Sequence, residues 1–210
     1  GVGAKVVSVF PGNAARGEAV ITGLALLVDP ASGVPRAIVD GTALTAWRTG
    51  AATGAGVQLL AREDARAALL VGTGAQARTQ VLALDAAREL ERIGVFGRRT
   101  DAARELVAEL QGQVRARLEV VSELRPALGE ADVVATATPA EEPLFSLEDL
   151  APGTHLSCVG SFTPAMRELD VETVAAASVA DPPTSSRPMA ASEATANEGL
   201  ITPSMSPIPA

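Results

Sequence analysis

The sequence predicts an α/β protein in which a doubly wound parallel sheet follows part of an α+β domain. Three observations predict this fold. From residue 63 onwards, short apolar segments alternate with helical segments, as in parallel strands joined by right-handed crossovers. A glycine-rich turn, VGTGAQAR, separates the first of these strands from its helix. Before residue 63, strands and a hairpin precede a single helix.

The elements before residue 63 are justified by their apolar patterns. AKVVSVF and AVITGLALLVD alternate or run apolar as strands do, and PGNAARG is a turn-rich connection. DPASGVPRAIVDG predicts a hairpin, because a Pro/Gly turn separates a strand end from a returning strand. TALTAWRTGAATGAGVQLLA has helical spacing, and we expect Thr42 or Thr45 to cap its start.

The alternating region supplies the parallel sheet. The predicted strands are ARAALLVGTG, ERIGVFG, RLEVV, ADVVATAT, THLSCVGS and ASVAD, and the predicted helices are AQARTQVLALDAAR, RRTDAARELVAELQ and SELRPALGE. The Pro, Ser, Thr and Ala content after this region predicts a loose or extended tail. The chain therefore divides into residues 1–62, 63–181 and 182–210.

Composition disfavours several classes of function. The 210 residues carry a formal charge of −8, with 47% hydrophobic and 20% charged residues, which is typical of a globular protein that does not bind nucleic acid. The apolar segments are too short to span a membrane. Cys158 is the only cysteine, so we expect no internal disulfide and a cytoplasmic location. His155 is the only histidine, which disfavours Ser-His-Asp catalysis and multi-histidine metal sites, and we predict no metal.

A dinucleotide site is predicted by the G-x-G-x-x-A pattern of Gly72, Gly74 and Ala77. The first glycine allows a tight turn, the second lets the backbone approach a pyrophosphate, and the alanine permits close helix–strand packing. The following helix adds free N–H groups and the positive end of its dipole. The glycines alone are equally compatible with a plain turn, but their strand–turn–helix setting favours a Rossmann-type dinucleotide site.

Two arginines favour NADP(H) over NAD(H) at this site. The second strand of such a sheet usually ends in an acid that binds the ribose 2′-hydroxyl. Here Gly97 stands at that place, and Arg98 and Arg99 follow it. Guanidinium groups suit a 2′-phosphate, and cations at a helix start are unfavourable unless an anion binds there. The alternative is a pair of solvated arginines, with NAD(H) as the cofactor.

Several specific segments follow one another over about residues 3–181: KVVSVFPGN, GLALLVDPASGVPRAIVDGTALTAWRTGAAT, VGTGAQARTQ, VFGRRTDAARELV, ADVVATATP and CVGSFTPAMRELD. Together they resemble the ornithine cyclodeaminase/μ-crystallin family. The resemblance implies a homodimer in which a dinucleotide-binding domain is joined to a domain for substrate and dimer contacts, here residues 1–62. It also implies chemistry in which a C=N bond exchanges hydride with a nicotinamide. With the glycine motif, it predicts these cofactor-binding residues: Thr49, Gly72, Thr73, Gly74, Ala75, Gln76, Ala77, Arg98, Arg99, Thr136, Ala137, Thr138, Val159 and Gly160.

The resemblance also implies two substrate-binding residues. Lys5 matches a lysine near the substrate carboxylate and the reacting carbon, and it is the predicted catalytic residue. Arg48 matches an arginine that pairs with that carboxylate. From the residues alone, the better interpretation of Lys5 is an edge-strand charge that deters aggregation, and that of Arg48 a solvated helix residue; the resemblance reverses this preference.

Two departures from the family bear on the reaction. Phe162 stands where cyclodeaminases have an aspartate, which moves the prediction from cyclodeamination towards reduction of a preformed cyclic imine. Glu168 and Asp170 follow nearby, and we interpret them as a structural loop pair. The family also has an N-terminal segment with a further substrate arginine before the part that matches Gly1, so we expect a shortened relative.

The predicted function is therefore NADPH-dependent reduction of a cyclic imino acid such as 1-pyrroline-2-carboxylate. One alternative is an ornithine cyclodeaminase or an alanine dehydrogenase-type enzyme acting on an amino acid. The other is a non-catalytic protein that binds NADP. The ring size of the substrate is left open by the sequence.

Overall fold

The computed structural model of the protein describes residues 2–177 and 192–193. Its strands form two sheets, an antiparallel N-terminal sheet of three strands and a main sheet in which every neighbouring pair is parallel. This arrangement confirms the predicted fold class.

The N-terminal sheet is formed by β1 (Val2–Val9), β2 (Ile21–Val28) and β3 (Pro35–Asp40), in that order. A short 3-10 helix, Pro11–Arg16, connects the first two strands. The turn between β2 and β3 is closed by Asp29, whose carboxylate accepts hydrogen bonds from two backbone N–H groups at 2.9 and 3.0 Å. The predicted hairpin is confirmed.

The sheet leads directly into the longest helix, α1 (Gly41–Leu60). Its N-cap is Asp40, the last residue of β3, whose carboxylate accepts hydrogen bonds from two amides of the first turn at 2.7 and 3.1 Å. The prediction that Thr42 or Thr45 caps the helix is therefore wrong. The helix begins before either threonine, and the Thr45 hydroxyl donates to a carbonyl one turn earlier at 2.7 Å.

The main strands of the second sheet are β4 (Ala67–Val71), β5 (Arg92–Phe96), β6 (Arg117–Val120), β7 (Val133–Thr136) and β8 (His155–Cys158). They lie in the order β6-β5-β4-β7-β8. The helices that follow β4 to β6 are α2 (Ala77–Ala87), α3 (Thr100–Leu110) and α4 (Leu124–Gly129); a 3-10 helix (Leu147–Asp149) precedes β8, and α5 (Val171–Ala176) comes after it. The strand order reverses between β4 and β7, and ligands of such sheets bind at this switch point.

Beyond α5 the description is limited to β9 (Ser192–Glu193), which pairs parallel with β8. The predicted strand ASVAD, apart from its first alanine, and the rest of the predicted tail at 182–210 lie outside the described residues. The borders at residues 62 and 181 stay predictions.

Apolar layers cover both faces of the main sheet. Neighbouring residues of β4 point to opposite layers: Leu70 packs with Val57, Val81 and Ile93 on one face, whereas Leu69 packs with Leu128, Val134, Phe145 and Leu156 on the other. A strand that is buried on both faces reads as a continuous apolar run, which explains the sequence signal of β4. None of the helices in the described part of the chain combines the length and apolar character that a membrane span needs.

Helices α1 and α2 pack closely because glycines line their contact. A Cβ on Gly50 would lie 2.7 Å from the carbonyl oxygen of Thr79, and one on Gly54 would lie 3.4 Å from that of Ala83. Gly54 lies one turn after Gly50 in α1, and Ala83 lies one turn after Thr79 in α2. The two helices therefore run in the same direction. The start of α2 therefore lies beside the first half of α1, which begins at the N-terminal sheet.

Candidate functional site

The glycine turn lies at the carboxyl end of β4, where the main sheet reverses its strand order. Gly72 has a φ of 121°, and a Cβ there would lie 2.5 Å from the carbonyl oxygen of Ala137, in the loop after β7. The amide of Ala137 donates to the carbonyl of Val71 at 2.9 Å. Glycine is thus required at position 72 by the protein itself, because both the backbone conformation and the neighbouring loop exclude a side chain.

Gly74 is different, because nothing in the described structure explains why it has no side chain. Its φ is not positive, and a Cβ there would meet no other atom within 4 Å. Open space therefore borders the backbone just before α2. No side chain caps that helix, and its first turn holds no acidic residue. The amide of Ala77 donates to the carbonyl of Gly74 at 3.0 Å, whereas the next N–H groups and the positive dipole end can face an anion such as a pyrophosphate.

Two orphaned oxygen atoms lie at the same edge. The side-chain oxygens of Gln76, just before α2, and Thr136, the last residue of β7, are buried and have no hydrogen-bond partner among the described residues. Buried polar atoms are normally hydrogen-bonded. Together with the open space at Gly74, these atoms show that the edge fits a bound dinucleotide.

The predicted 2′-phosphate residues lie at the end of β5. A Cβ on Gly97 would lie 2.7 Å from Cγ2 of Thr73, so the strand end packs directly on the glycine turn. Arg98 and Arg99 are exposed, and neither forms an ion pair with any residue that the structure describes. The first acidic residue of α3, Asp101, pairs with Arg104 at 2.8 Å instead. Two unpaired guanidinium groups therefore flank the predicted adenosine end.

The two predicted substrate residues come together between β1 and α1. The Lys5 ammonium donates a hydrogen bond to the Thr45 hydroxyl at 3.1 Å. Partial burial, and then the charge of Arg48, hold the pKa of Lys5 below its usual value. Neither side chain forms an ion pair within the described ranges. Two neighbouring cations without a carboxylate make a site that favours an anion.

The packing of α1 on α2 relates this pair to the glycine turn. Gly50 contacts Thr79 in the first turn of α2, and Arg48 lies two residues before Gly50. The part of α1 that carries Arg48 is therefore level with the first turn of α2, next to the glycine turn. Thr49, predicted to bind the cofactor, is buried, and its hydroxyl donates to the carbonyl of Thr45 at 2.7 Å.

The loops after β7 and β8 complete this edge, and a buried acid joins them. The amide of Val159 donates to the carbonyl of Thr136 at 2.9 Å, which continues the pairing of the two strands. Beyond that point Glu168, only 3% exposed, accepts hydrogen bonds from Thr138 and from the amide of Gly160. Glu168, predicted with Asp170 as a structural loop pair, thus contacts two predicted cofactor residues, which the sequence did not predict. No local pattern could have signalled it.

The remaining candidates take no part in this edge. Asp170 caps α5, its carboxylate accepting from the amide of Thr173 at 2.6 Å. Phe162 is 43% exposed in the loop after β8. His155 is the first residue of β8, so it lies at the end of the strand opposite to the glycine turn. Burial, and then the charge of Arg88, lower its pKa to about 4. Within residues 2–177 and 192–193, no group of three or more His, Cys, Asp or Glu is arranged to hold a metal ion.

Comparison with known proteins agrees with this geometry. The sequence profile of the ornithine cyclodeaminase/mu-crystallin family matches residues 1–192. The chain belongs to this family. The predicted resemblance is confirmed, and so is its reductase-like branch, because the relatives with strong similarity include several Delta(1)-pyrroline-2-carboxylate reductases.

Three members of the family illustrate the similarity. The chain is 42% identical over 171 residues to the Delta(1)-pyrroline-2-carboxylate reductase of Paracoccus denitrificans, a match that covers 81% of this chain and 54% of the relative. The Thermococcus litoralis Delta(1)-pyrroline-2-carboxylate reductase, solved in complex with NADH and L-proline, has 36% identity and a TM-score of 0.78, covering 83% of this chain and 54% of that one. An archaeal alanine dehydrogenase dimer with bound NAD has 32% identity and a TM-score of 0.76, with the same coverage.

The chain thus spans about half the length of these relatives.

Proposed function

We propose that this protein reduces a cyclic imino acid, 1-pyrroline-2-carboxylate or a related ketimine, with NADPH. One observation carries the proposal. Lys5 and Arg48, two cations without a carboxylate partner in the described structure, lie together at α1, and the part of α1 that carries Arg48 is level with the first turn of α2, next to the open space at Gly74. A substrate carboxylate held by the cations would thus lie near a bound dinucleotide. The similarity to Delta(1)-pyrroline-2-carboxylate reductases supports this reading.

The glycine turn and the adjoining strand ends would hold the cofactor. The free N–H groups of α2 would face the pyrophosphate beside Gly74, and Thr136, Ala137, Thr138, Val159 and Gly160 would line the nicotinamide half. When bound, the reduced nicotinamide supplies the hydride that the imine carbon accepts.

Arg48 and Lys5 would bind and orient the substrate. A guanidinium forms a forked ion pair with a carboxylate, which fixes the reacting carbon at a defined distance from the cofactor. Lys5 would lie beside the imine nitrogen. A lysine whose pKa is lowered by burial and by Arg48 releases its proton more readily, so Lys5 can protonate the nitrogen as the carbon is reduced.

NADPH rather than NADH is proposed from Arg98 and Arg99. Both guanidinium groups are exposed and unpaired within the described residues, at the place where the ribose 2′ position is expected. Because Gly97 packs against Thr73, an acidic side chain at that position would require the turn to shift. The T. litoralis reductase and the archaeal alanine dehydrogenase were solved with NADH and NAD, so NAD(H) is the alternative.

A second candidate is an amino-acid dehydrogenase, which the similarity to the archaeal alanine dehydrogenase favours. Cyclodeamination is less favoured, because Phe162 offers no carboxylate at the place where the cyclodeaminases have one. For the protein as a whole we also propose a homodimer and a cytoplasmic location.

The test is a steady-state assay of NADPH and NADH oxidation with 1-pyrroline-2-carboxylate, its six-membered homologue, and pyruvate with ammonia. We expect turnover on a cyclic imine. Arg48→Ala should raise KM and lower kcat/KM, whereas Lys5→Ala should chiefly lower kcat. Arg36→Ala is the matched control, because this exposed arginine pairs with Asp29 at 2.8 Å in a turn of the N-terminal sheet.

Other results of this assay would support a different function. Turnover only with pyruvate and ammonia would select the dehydrogenase. Tight dinucleotide binding without turnover of any substrate would select a non-catalytic binding protein. Unchanged kinetics in both variants would remove Lys5 and Arg48 from the site.

A further inference from the structure

We infer that Glu168 is a positioning residue for the nicotinamide half of the cofactor; this inference rests on the proposed function. Its carboxylate joins the loops that follow β7 and β8. Oε1 accepts hydrogen bonds from the amide of Thr138 at 2.7 Å and from its hydroxyl at 2.8 Å. Oε2 accepts from the amide of Gly160 at 2.8 Å. One side chain thus holds three donors from two loops.

The burial of Glu168 indicates that its carboxylate serves to connect the two loops. The residue is 3% exposed and forms no ion pair with a described cation. A buried carboxyl side chain is costly unless donors compensate it, and here the hydrogen bonds from the two loops do so. If the loops separated, the side chain would lose these partners. The carboxylate therefore sets the distance between them.

Gly160 shows how closely the loops are held. A Cβ there would lie 2.6 Å from Oε1 of Glu168 and closer still to the carbonyl oxygen of Thr138. Glycine is needed at this position for the same approach that the carboxylate enforces. The segment that carries Glu168 is itself fixed, because its carbonyl accepts from the amide of Leu144 at 2.9 Å and the amide of Arg167 donates to Ala140 at 2.6 Å.

The position of this junction determines which half of the cofactor it affects. Thr138 and Gly160 follow the carboxyl ends of β7 and β8, whereas the glycine turn and the arginines follow β4 and β5. A dinucleotide laid across the switch point would place its adenosine half against the second group and its nicotinamide half against the first. Glu168 should thus govern binding of the nicotinamide half alone.

Glu168→Gln is the variant that tests this. Its amide oxygen can keep both bonds to Thr138, but its NH2 group would then face the N–H of Gly160, a donor against a donor. Asp85→Asn is the matched control. Asp85 is also buried and its Oδ1 accepts from two backbone amides, those of Arg115 and Ala116, but at the opposite edge of the main sheet.

The readout is the affinity of the unaltered chain and both variants for NADPH and NADH, and for ADP-ribose with and without its 2′-phosphate. For Glu168→Gln we expect affinity for the whole dinucleotides to fall by about tenfold or more, with the ADP-ribose ligands unchanged within about twofold. Asp85→Asn should leave all four affinities unchanged, even if its melting temperature falls.

Several outcomes would overturn the inference. One is a Glu168→Gln variant that weakens whole and truncated ligands equally, which would be a general structural effect, and another is a variant that weakens neither. An unaltered chain that binds no dinucleotide would overturn the proposed function together with this inference, whereas binding by the chain with an unchanged variant overturns only the inference. If Glu168→Gln does not fold, Thr138→Val decides: it removes one donor to Oε1 and should weaken whole dinucleotides selectively.

Discussion

At the scale of single residues, the two glycines of the turn serve different partners. Gly72 lacks a side chain because the protein's own backbone would collide with it, at 2.5 Å from the oxygen of Ala137. Gly74 lacks one although the surrounding space is open. The first glycine is thus a requirement of folding, and we propose that the second leaves the backbone open to a ligand.

This difference predicts opposite effects of two substitutions. Gly72→Ala should destabilise the protein by about 3 kcal/mol, because the φ of 121° is strained for alanine and the Cβ collides with the neighbouring loop. Gly74→Ala should change stability by less than about 1 kcal/mol but lower NADPH affinity by about tenfold or more, since the methyl group would occupy the pyrophosphate's space. Urea unfolding and fluorescence titration measure the two effects. A Gly74→Ala variant that binds as well as the parent would contradict the assignment of this turn.

The cofactor preference is also decided by single residues. Replacing Arg98 and Arg99 together with Ala should weaken NADPH binding by about tenfold to a hundredfold, because charge-assisted hydrogen bonds to the 2′-phosphate are lost. NADH binding should change little. Arg104→Ala is the control, because that arginine lies in α3, shortly after the pair, and pairs with Asp101. Equal weakening of NADPH and NADH, measured by titration, would show that the arginines do not recognise the phosphate.

At the scale of elements, the contact between α1 and α2 aligns the substrate residues with the dinucleotide edge. Gly50→Ala should destabilise the protein by about 1–3 kcal/mol, because its Cβ would lie 2.7 Å from the carbonyl oxygen of Thr79 and the helices would have to move apart. Gly54→Ala is the matched control one turn later. Its Cβ would lie 3.4 Å from the nearest atom, so the better helix propensity of alanine should leave stability unchanged or raise it by up to about 1 kcal/mol. Chemical denaturation of both variants checks this; equal effects would mean that the helices do not meet at Gly50.

Strand β8 carries a pH-dependent contribution to stability through His155. The pKa of this buried residue is lowered to about 4, from an ordinary value of 6.5, by burial and then by the charge of Arg88. Because the unfolded chain binds the proton more tightly, this contribution is complete above pH 6.5 and decreases as the pH falls towards 4. Between pH 7 and pH 5 we expect a loss of about 2 kcal/mol in the free energy of unfolding. His155 is the only histidine, so His155→Gln should remove this part of the slope while carboxylate titration at lower pH remains. An identical slope in the variant would show that the histidine does not titrate in this way.

At the scale of the whole molecule, the N-terminal sheet presents an exposed apolar face. Val6 is 71% exposed, Leu24 lies opposite it at 50%, and Ile38 of the third strand is 71% exposed on the same face. Contiguous exposed apolar side chains are typical of an interface between proteins. This face is where we place the contact of the proposed homodimer.

Ile38→Asp should therefore weaken self-association by about tenfold or more, because it puts a charge among apolar side chains that the second copy would bury. Val171→Asp is the control, since Val171 is 73% exposed on α5, away from the N-terminal sheet. Sedimentation velocity over a range of concentrations measures the effect. A monomeric parent chain, or equal weakening by both substitutions, would contradict this placement.

The sequence by itself determined the main sheet and the dinucleotide edge. The apolar runs of β4, β5 and β7, the helices that follow them and the spacing of Gly72 and Gly74 are local patterns. Each depends on backbone preferences and burial within one short segment, so a single sequence is enough to predict it. The family followed from several such segments in the same order.

Only the tertiary structure decided which distant residues share a site. Asp40 caps α1 in place of the predicted threonines, because the end of β3 sets where the helix begins. Lys5 comes to lie beside Arg48 only because β1 packs against α1. Glu168 joins two loops whose neighbourhood depends on the order of β7 and β8 in the sheet. Contacts of this kind are set by the packing of whole elements, and no pattern within a short segment encodes them.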